Sequence, residues 1–208
     1  MIAGTELLDL DLCALAAKIR AGEVSSTEVV RQALQRARQV QPIVNCFITI
    51  DEDLAFEAAR SADAAVARGE PLGPLHGVPL AHKDMFYRVG RVTTGGSRLL
   101  LDYRPAVTAT VIERLHAAGA IWLGSLNMSE FAANPTGRND SFGDCRNAWS
   151  REHISGGSSS GSGVAVALRT CFASLGSDTG GSIRLPASAN GVVKQTRWRK
   201  TNIGCHWN

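Results

Sequence analysis

The 208-residue chain is short of the features that mark membrane, disulfide-bonded and metal-binding proteins. No apolar run approaches the ~20 residues that a membrane helix needs, so no membrane contact is expected. Five cysteines stand at positions 13, 46, 145, 171 and 205. Their number is odd and none forms a C-x-x-C pair, which argues against a disulfide framework and against a zinc site.

Targeting and nucleotide-binding signals are missing as well. The start of the chain carries Glu6, Asp9 and Asp11 where a secretion signal would have a basic segment and an apolar one, which favours a cytoplasmic location. There is no G-x-x-x-x-G-K-[ST] motif, and no G-x-G-x-x-G opens a helix. We therefore expect neither a metal nor another cofactor.

The charge is concentrated at one end. The formal net charge is +3, but residues 194–200 contribute four positive charges, and without them the balance would be −1. This distribution is poor support for a nucleic-acid surface, so no direct contact with nucleic acid is expected. Residues 194–208 have no usable periodicity and are interpreted as an aberrant basic tail, whereas residues 1–193 are interpreted as the N-terminal portion of a single domain.

The central part of the chain repeats the order helix, glycine, strand and loop, which is typical of a parallel sheet covered by helices. Asp11 is expected to cap the first helix, Ser25 the second, and Pro42 to end the second. Apolar periodicity predicts helices at 11–21, 25–41, 51–68, 108–118, 164–169 and 183–190, with strands at 46–50, 78–83, 120–124 and 171–175.

Two segments rich in glycine and serine, 156–163 and 176–184, stand out from this pattern. Small side chains let backbone N–H groups approach another group closely, and converging N–H groups suit an oxyanion. Composition alone is also typical of a flexible linker. However, the apolar run 164–168 follows the first segment without a break, and a linker does not usually lead directly into a buried segment.

Lys83 lies at the predicted carboxyl end of a buried strand, where open α/β sheets place their sites. The alternative is a solvated surface lysine beside Asp84. A lysine held neutral can act as a base, and a serine can relay its proton to a second, attacking serine. Lowering a lysine pKa from ~10.4 to near 7 requires about 4–5 kcal/mol, which burial can supply.

A nucleophile elbow is a competing interpretation. Residues 157–161 satisfy G-x-S-x-G, which would make Ser159 the nucleophile with Asp178 and His206 as partners. An elbow requires a hydrophobic strand before it, and residues 150–155 do not form one.

Three ordered blocks resemble the amidase signature family. They are Lys83-Asp84 after an apolar strand, the run Gly156–Ser162, and the run Gly176–Ala187. The separation is 75 residues from Lys83 to Ser158 and 24 from Ser158 to Ser182, in agreement with the layout of that family. The match covers roughly residues 6–193 and implies a mixed, largely parallel sheet with helices on both faces, incomplete at the C-terminus.

The resemblance also implies roles for individual residues. Ser182 would be the nucleophile that forms an acyl-enzyme, Ser158 the bridging serine after a cis peptide bond, and Lys83 the base. The implied oxyanion hole consists of the backbone N–H groups of Thr179, Gly180, Gly181 and Ser182. The implied supporting residues are Gly157, Ser159, Asp178 and Arg184.

Three functions follow as expectations. The first is an amidase that cleaves a small carboxamide substrate, alone or as a homodimer. The second is the A subunit of an amidotransferase, which moves ammonia from glutamine to a charged tRNA together with partner subunits. The third is a truncated, non-catalytic remnant, because the sequence after residue 193 departs from the Gly-Leu-Lys-Pro-Thr that the family usually has there.

Overall fold

The structure is a computed structural model that describes residues 7–195. Most of the predicted basic tail, including His206, lies outside the described residues. The helices are α1 (Leu12–Arg20), α2 (Ser26–Val44), α3 (Glu52–Ala67), α4 (Thr110–Ala117), α5 (Ser160–Ala167) and α6 (Arg184–Asn190). The strands are β1 (Phe47–Ile50), β2 (Pro79–Lys83), β3 (Ile121–Leu126) and β4 (Ala173–Leu175). In the described part, no helix has the length and apolar character needed to span a membrane.

Local hydrogen bonds explain where the first two helices begin. The Asp11 carboxylate accepts a hydrogen bond from the Ala14 amide, and the Ser25 hydroxyl accepts one from the Glu28 amide at 3.1 Å. These bonds satisfy N–H groups that a helix start leaves without partners. Both predicted caps are confirmed.

The predicted end of α2 at Pro42 is wrong. The helix continues through Pro42 to Val44, and Asn45 closes it in a left-handed conformation with φ of 51°. Pro42 has no N–H to donate to the Arg38 carbonyl, one turn back, but the Gln41 side chain forms two hydrogen bonds with the Phe47 backbone, at 2.8 and 2.9 Å. These bonds hold the last turn in place.

The four strands form one mixed sheet in the order β1-β3-β2-β4. Strand β2 pairs in parallel with both β3 and β4, whereas β1 pairs antiparallel with β3. All residues of β2 and β3 are buried, as expected for central strands of a sheet covered on both faces. The predicted largely parallel α/β fold is confirmed.

Alternate residues of the central strands enter two separate cores. On one face, Ala81 and Leu123 pack with apolar residues of α2, α3 and α5. On the other face, Leu80 and Trp122 pack with residues of α1 and α4. Because successive side chains on a strand point to opposite faces, His82 and Lys83 at the end of β2 also point to opposite sides of the sheet.

The first glycine-serine segment is part of the folded core. Its residues 155–165 are all buried, which excludes the linker interpretation. The helix predicted at 164–169 begins earlier, at Ser160, so that half of the segment is helical. Serine and glycine are poor helix formers, and tertiary contacts decide the conformation here.

Candidate active site

Lys83 is completely buried at the carboxyl end of β2. Its Nζ donates hydrogen bonds to Ser158 Oγ at 2.6 Å and to Ser177 Oγ at 2.8 Å. The surface-lysine alternative is therefore wrong. An ammonium group taken out of water needs hydrogen-bond acceptors, and these hydroxyl groups supply them.

Ser158 is fully buried, and backbone hydrogen bonds on both sides of it fix its position. The Gly157–Ser158 peptide bond is cis, as the resemblance implies. The Gly157 amide donates to the Pro135 carbonyl at 2.7 Å, and the Ser158 carbonyl accepts from the Ser129 amide at 3.1 Å. These bonds fix the backbone on both sides of the cis bond and direct the Ser158 hydroxyl to Lys83.

Ser159 connects the two glycine-serine segments. Its amide donates to the Ser182 carbonyl at 3.1 Å. Its hydroxyl accepts from the Ser177 amide at 3.2 Å and donates to the Ser177 carbonyl at 3.3 Å. A hydroxyl group bonded to backbone in this way suits a supporting residue better than the nucleophile of an elbow.

Asp178 organises the loop that carries Ser182. Its carboxylate accepts hydrogen bonds from the amides of Gly181 at 2.9 Å, Ile183 at 3.2 Å and Arg184 at 3.2 Å. The Arg184 guanidinium adds two more bonds, at 3.0 and 3.1 Å. The side-chain bond from Arg184, followed by those from the amides, holds the pKa of Asp178 well below its ordinary value, so this carboxylate is ionised near neutral pH.

The four amides expected to form an oxyanion hole are not equivalent. The Gly181 amide already donates to the Asp178 carboxylate. Within residues 7–195, the amides of Thr179, Gly180 and Ser182 donate no hydrogen bond. Thr179 and Gly180 are exposed and Ser182 is half-buried, so these three N–H groups are available to an acceptor from solvent.

Hydrogen bonds from Thr94 hold the Asp84 carboxylate at the end of β2. The Thr94 amide donates to its carboxylate at 3.0 Å, and the Thr94 hydroxyl donates to the same oxygen. Burial raises the pKa of Asp84 to about 6, although these hydrogen bonds act in the opposite direction. The carboxylate therefore ties the loop after β2 to the strand end.

Ser177 is the residue at this site that sequence reasoning missed. It lies between Gly176 and Asp178, and its hydroxyl group is the second acceptor for Lys83. Nothing in the local pattern distinguishes it from the other serines of the two segments. Its position at the end of β4, next to β2, was the available signal, because neighbouring parallel strands bring their carboxyl ends together.

Comparisons with known proteins agree with this geometry. The model of the Amidase family matches residues 28–193. Over 187 residues the chain is 46% identical to the A subunit of glutamyl-tRNA(Gln) amidotransferase from Lachnospira eligens, covering 90% of this chain and 39% of that protein. It is 49% identical over 179 residues to the corresponding protein from Acidothermus cellulolyticus, covering 86% of this chain and 35% of that protein.

A solved structure of an amidase has the same fold. The native peptide amidase from Stenotrophomonas maltophilia superposes with a TM-score of 0.84 at 35% identity, covering 90% of this chain and 40% of that one. The chain thus spans about two fifths of the length of the proteins it matches. The matched motifs, the sheet and the family model together show that the chain belongs to the Amidase family, the amidase signature proteins.

Proposed function

We propose that this chain carries the acylation site of an amide hydrolase, with Lys83, Ser158 and Ser182 as its catalytic residues. The observation that supports this most directly is the 2.6 Å hydrogen bond from Lys83 Nζ to Ser158 Oγ inside the core. A lysine amine buried at a strand end and bonded to a hydroxyl group is the arrangement that a lysine base requires. Ser182 lies on the adjacent loop, which the Ser159–Ser182 backbone bond holds beside Ser158.

The proposed reaction proceeds in two steps. Neutral Lys83 takes the proton of Ser158, Ser158 takes the proton of Ser182, and Ser182 Oγ attacks the carbonyl carbon of the amide. The amides of Thr179, Gly180 and Ser182 donate to the developing oxyanion. Proton transfer back along the same residues to the nitrogen releases ammonia or an amine. Water then hydrolyses the ester on Ser182 and releases the carboxylic acid.

The substrate class follows from the relatives. The curated relatives described above belong to amidotransferases that act on glutamyl-tRNA(Gln), according to their names. We therefore propose the side-chain carboxamide of glutamine as the first substrate to test, with the amidotransferase as the assembly. Partner subunits would then receive the ammonia. The unpaired state of Cys13, Cys46, Cys145 and Cys171 supports a cytoplasmic location.

Covalent labelling tests the site. A fluorophosphonate probe should label the 208-residue chain at Ser182, as read by mass spectrometry of the labelled peptide. Lys83→Met should reduce the labelling rate by about 10²-fold or more, because it removes the base but keeps most of the unbranched side chain. Lys18→Met is the matched control, since Lys18 is an exposed lysine paired with Glu23. Labelling at another serine, or an equal rate in Lys83→Met, would exclude the proposed mechanism.

The choice between a glutamine-specific and a general amidase needs a second assay. Ammonia release from glutamine, but not from a peptide C-terminal amide, would favour the amidotransferase function. Release from the peptide amide alone would favour a peptide amidase such as the structural relative. A folded chain, judged by near-UV circular dichroism, that neither labels nor releases ammonia would favour the non-catalytic remnant.

A further inference from the structure

A polar cavity lies on the face of the sheet opposite Lys83. Its volume is about 160 Å³, enough for a small anion together with water. His82, the residue before Lys83, lines it from β2. Three arginines, Arg88, Arg91 and Arg104, and one carboxylate, Asp51, also line it. The remaining lining residues carry no charge: Thr49, Val92, Thr93 and Ser125.

The charges that line this cavity do not cancel. Asp51 accepts hydrogen bonds from Arg88, at 3.3 Å, and from Arg91. Arg104 donates to the Gly90 carbonyl at 3.0 Å and forms no ion pair with any residue in the described part of the chain. Three guanidinium groups against one carboxylate leave two positive charges. Planar guanidinium groups that converge on one space match the oxygens of a phosphate or carboxylate.

His82 gives a second, independent indication of a ligand, because one of its ring nitrogens lacks a hydrogen-bond donor within residues 7–195. Its side chain is only 4% exposed, and its Nδ1 lies 3.1 Å from the Lys83 carbonyl. A carbonyl oxygen only accepts, so Nδ1 carries the hydrogen and Nε2 presents a lone pair. Nε2 has no hydrogen-bond partner among the described residues. A buried acceptor of this kind is normally satisfied, and His82 is one of the residues that line the cavity.

The protonation state of His82 agrees with this tautomer. Burial, together with the positive charge of Arg88, lowers the pKa of His82 to about 4. The imidazole is therefore neutral near pH 7 and needs a donor at Nε2. A metal cation does not suit the position, because three guanidinium groups surround it.

We propose that this cavity binds a phosphate group, whose charged oxygens accept from the arginines and whose protonated oxygen donates to His82 Nε2. Inorganic phosphate and the singly protonated form of a phosphate monoester, whose second pKa is about 6, share this chemistry. The site lies on the opposite face of β2 from the proposed acylation site, and it does not depend on amide hydrolysis.

Calorimetric titration of the 208-residue chain at pH 6, where phosphate and much of the monoester carry a proton, with sodium phosphate, sodium sulfate and phenyl phosphate tests the proposal. Sulfate has the same shape as phosphate but no protonated oxygen at this pH. Phosphate should therefore bind about tenfold more tightly than sulfate, the ratio expected for one hydrogen bond to a buried acceptor. Tighter binding of inorganic phosphate than of phenyl phosphate assigns the site to free phosphate, and the reverse order assigns it to a monoester.

Matched arginine variants locate the site. Arg104→Gln should weaken phosphate binding by about tenfold or more. Arg98→Gln should leave it unchanged, because Arg98 is also exposed and bonded to a backbone carbonyl, that of Ser141, but lies outside the cavity. Equal effects of the two variants would show general charge attraction and overturn the proposal.

A measurement on the unmodified chain avoids any folding defect in the variants. The ¹⁵N chemical shift of His82 Nε2 should move as phosphate saturates the cavity, because the lone pair then accepts a hydrogen bond. Sulfate at the same ionic strength should not produce this change. No phosphate binding, or binding with an unchanged His82 signal, would overturn the proposal. Water would then fill the cavity, and the arginines would only form hydrogen bonds within the chain.

Discussion

Replacing Asp178 by asparagine is the sharpest test of how the Ser182 loop is organised. Asparagine has nearly the shape of aspartate, but one of its two oxygens becomes an NH₂ donor. In the structure, Oδ1 accepts from the Gly181 amide and from Arg184 Nη2. Oδ2 accepts from the amides of Ile183 and Arg184 and from Arg184 Nε. In either orientation the new donor therefore faces at least two donors.

The magnitude follows from the bonds that are lost. Asparagine retains more bonds if its oxygen takes the place of Oδ2, and the lost bonds are then those of Gly181 and of one guanidinium nitrogen. A hydrogen bond to a charged group contributes about 1.5–3 kcal/mol, whereas the exposed ion pair with Arg184 contributes about 1 kcal/mol or less. The Asp178 side chain is only 9% exposed. We expect the free energy of unfolding to fall by about 2–3 kcal/mol.

Urea denaturation measures this fall in the free energy of unfolding, and Arg184→Gln is the control. The control removes the exposed ion pair, in which Arg184 is 53% exposed, and keeps the backbone bonds to Asp178. It should therefore lower the free energy of unfolding by less than about 1 kcal/mol. Equal losses in Asp178→Asn and Arg184→Gln would refute the reasoning, because the amide bonds would then contribute nothing.

The dependence on pH has a definite sign. The bond with Arg184 lowers the pKa of folded Asp178 well below its ordinary value of 3.8. The unfolded chain therefore takes up the proton first as the pH falls, and the contribution of Asp178 is present above about pH 4 and lost below it. The difference in the free energy of unfolding between the unmodified chain and Asp178→Asn should narrow as the pH decreases below 3.8. A difference that widened there would contradict the assigned charge state.

Three further predictions concern packing, electrostatics and the lysine. Gly161→Ala should prevent folding or lower stability by several kcal/mol, because its Cβ would lie 2.3 Å from a backbone oxygen, whereas Gly180→Ala meets nothing within 4 Å and should fold normally in a thermal melt. For Asp84→Asn, the free energy of unfolding relative to that of the unmodified chain should rise by up to about 3 kcal/mol between pH 4 and pH 7, measured by urea denaturation. The reason is that the folded pKa of Asp84 is about 6, against an ordinary value of 3.8, so the unmodified chain loses stability as the pH rises through that window. Ser177→Ala should slow fluorophosphonate labelling about fivefold, since Lys83 loses one of its hydroxyl acceptors, and an unchanged rate would show that Ser177 has no part in positioning the lysine.

The parts of the fold that could be predicted depend on contacts close in sequence. Asp11 and Ser25 cap their helices through bonds to amides three residues away, so the sequence contains the whole interaction. The continuation of α2 past Pro42 depends on the side chain of Gln41 reaching Phe47. The start of α5 depends on Gly161, whose backbone packs against distant segments. Side-chain contacts outside the helix and packing against distant segments override local preference here, and helical periodicity does not predict them.

The same distinction applies to the site. The order and spacing of Lys83, Ser158 and Ser182 are visible in the sequence, and their roles remain proposals. The burial of Lys83 and the cis bond before Ser158 agree with the resemblance. The engagement of the Gly181 amide by Asp178 was not predictable, because an aspartate three residues before a glycine fits many loop conformations. The second acceptor for Lys83 appears only once β4 is placed beside β2.

The strand order has a consequence for how the protein folds during synthesis. Strand β1 pairs with β3, where Phe47 lies opposite Leu126, so β1 has no partner until the chain has been made beyond residue 126. Helices α1 to α3 precede that point and can form locally, but the sheet that covers their apolar faces cannot. Folding dominated by such distant pairings is slow, and unpaired apolar segments invite aggregation meanwhile. We expect the nascent chain to need protection until β3 emerges from the ribosome.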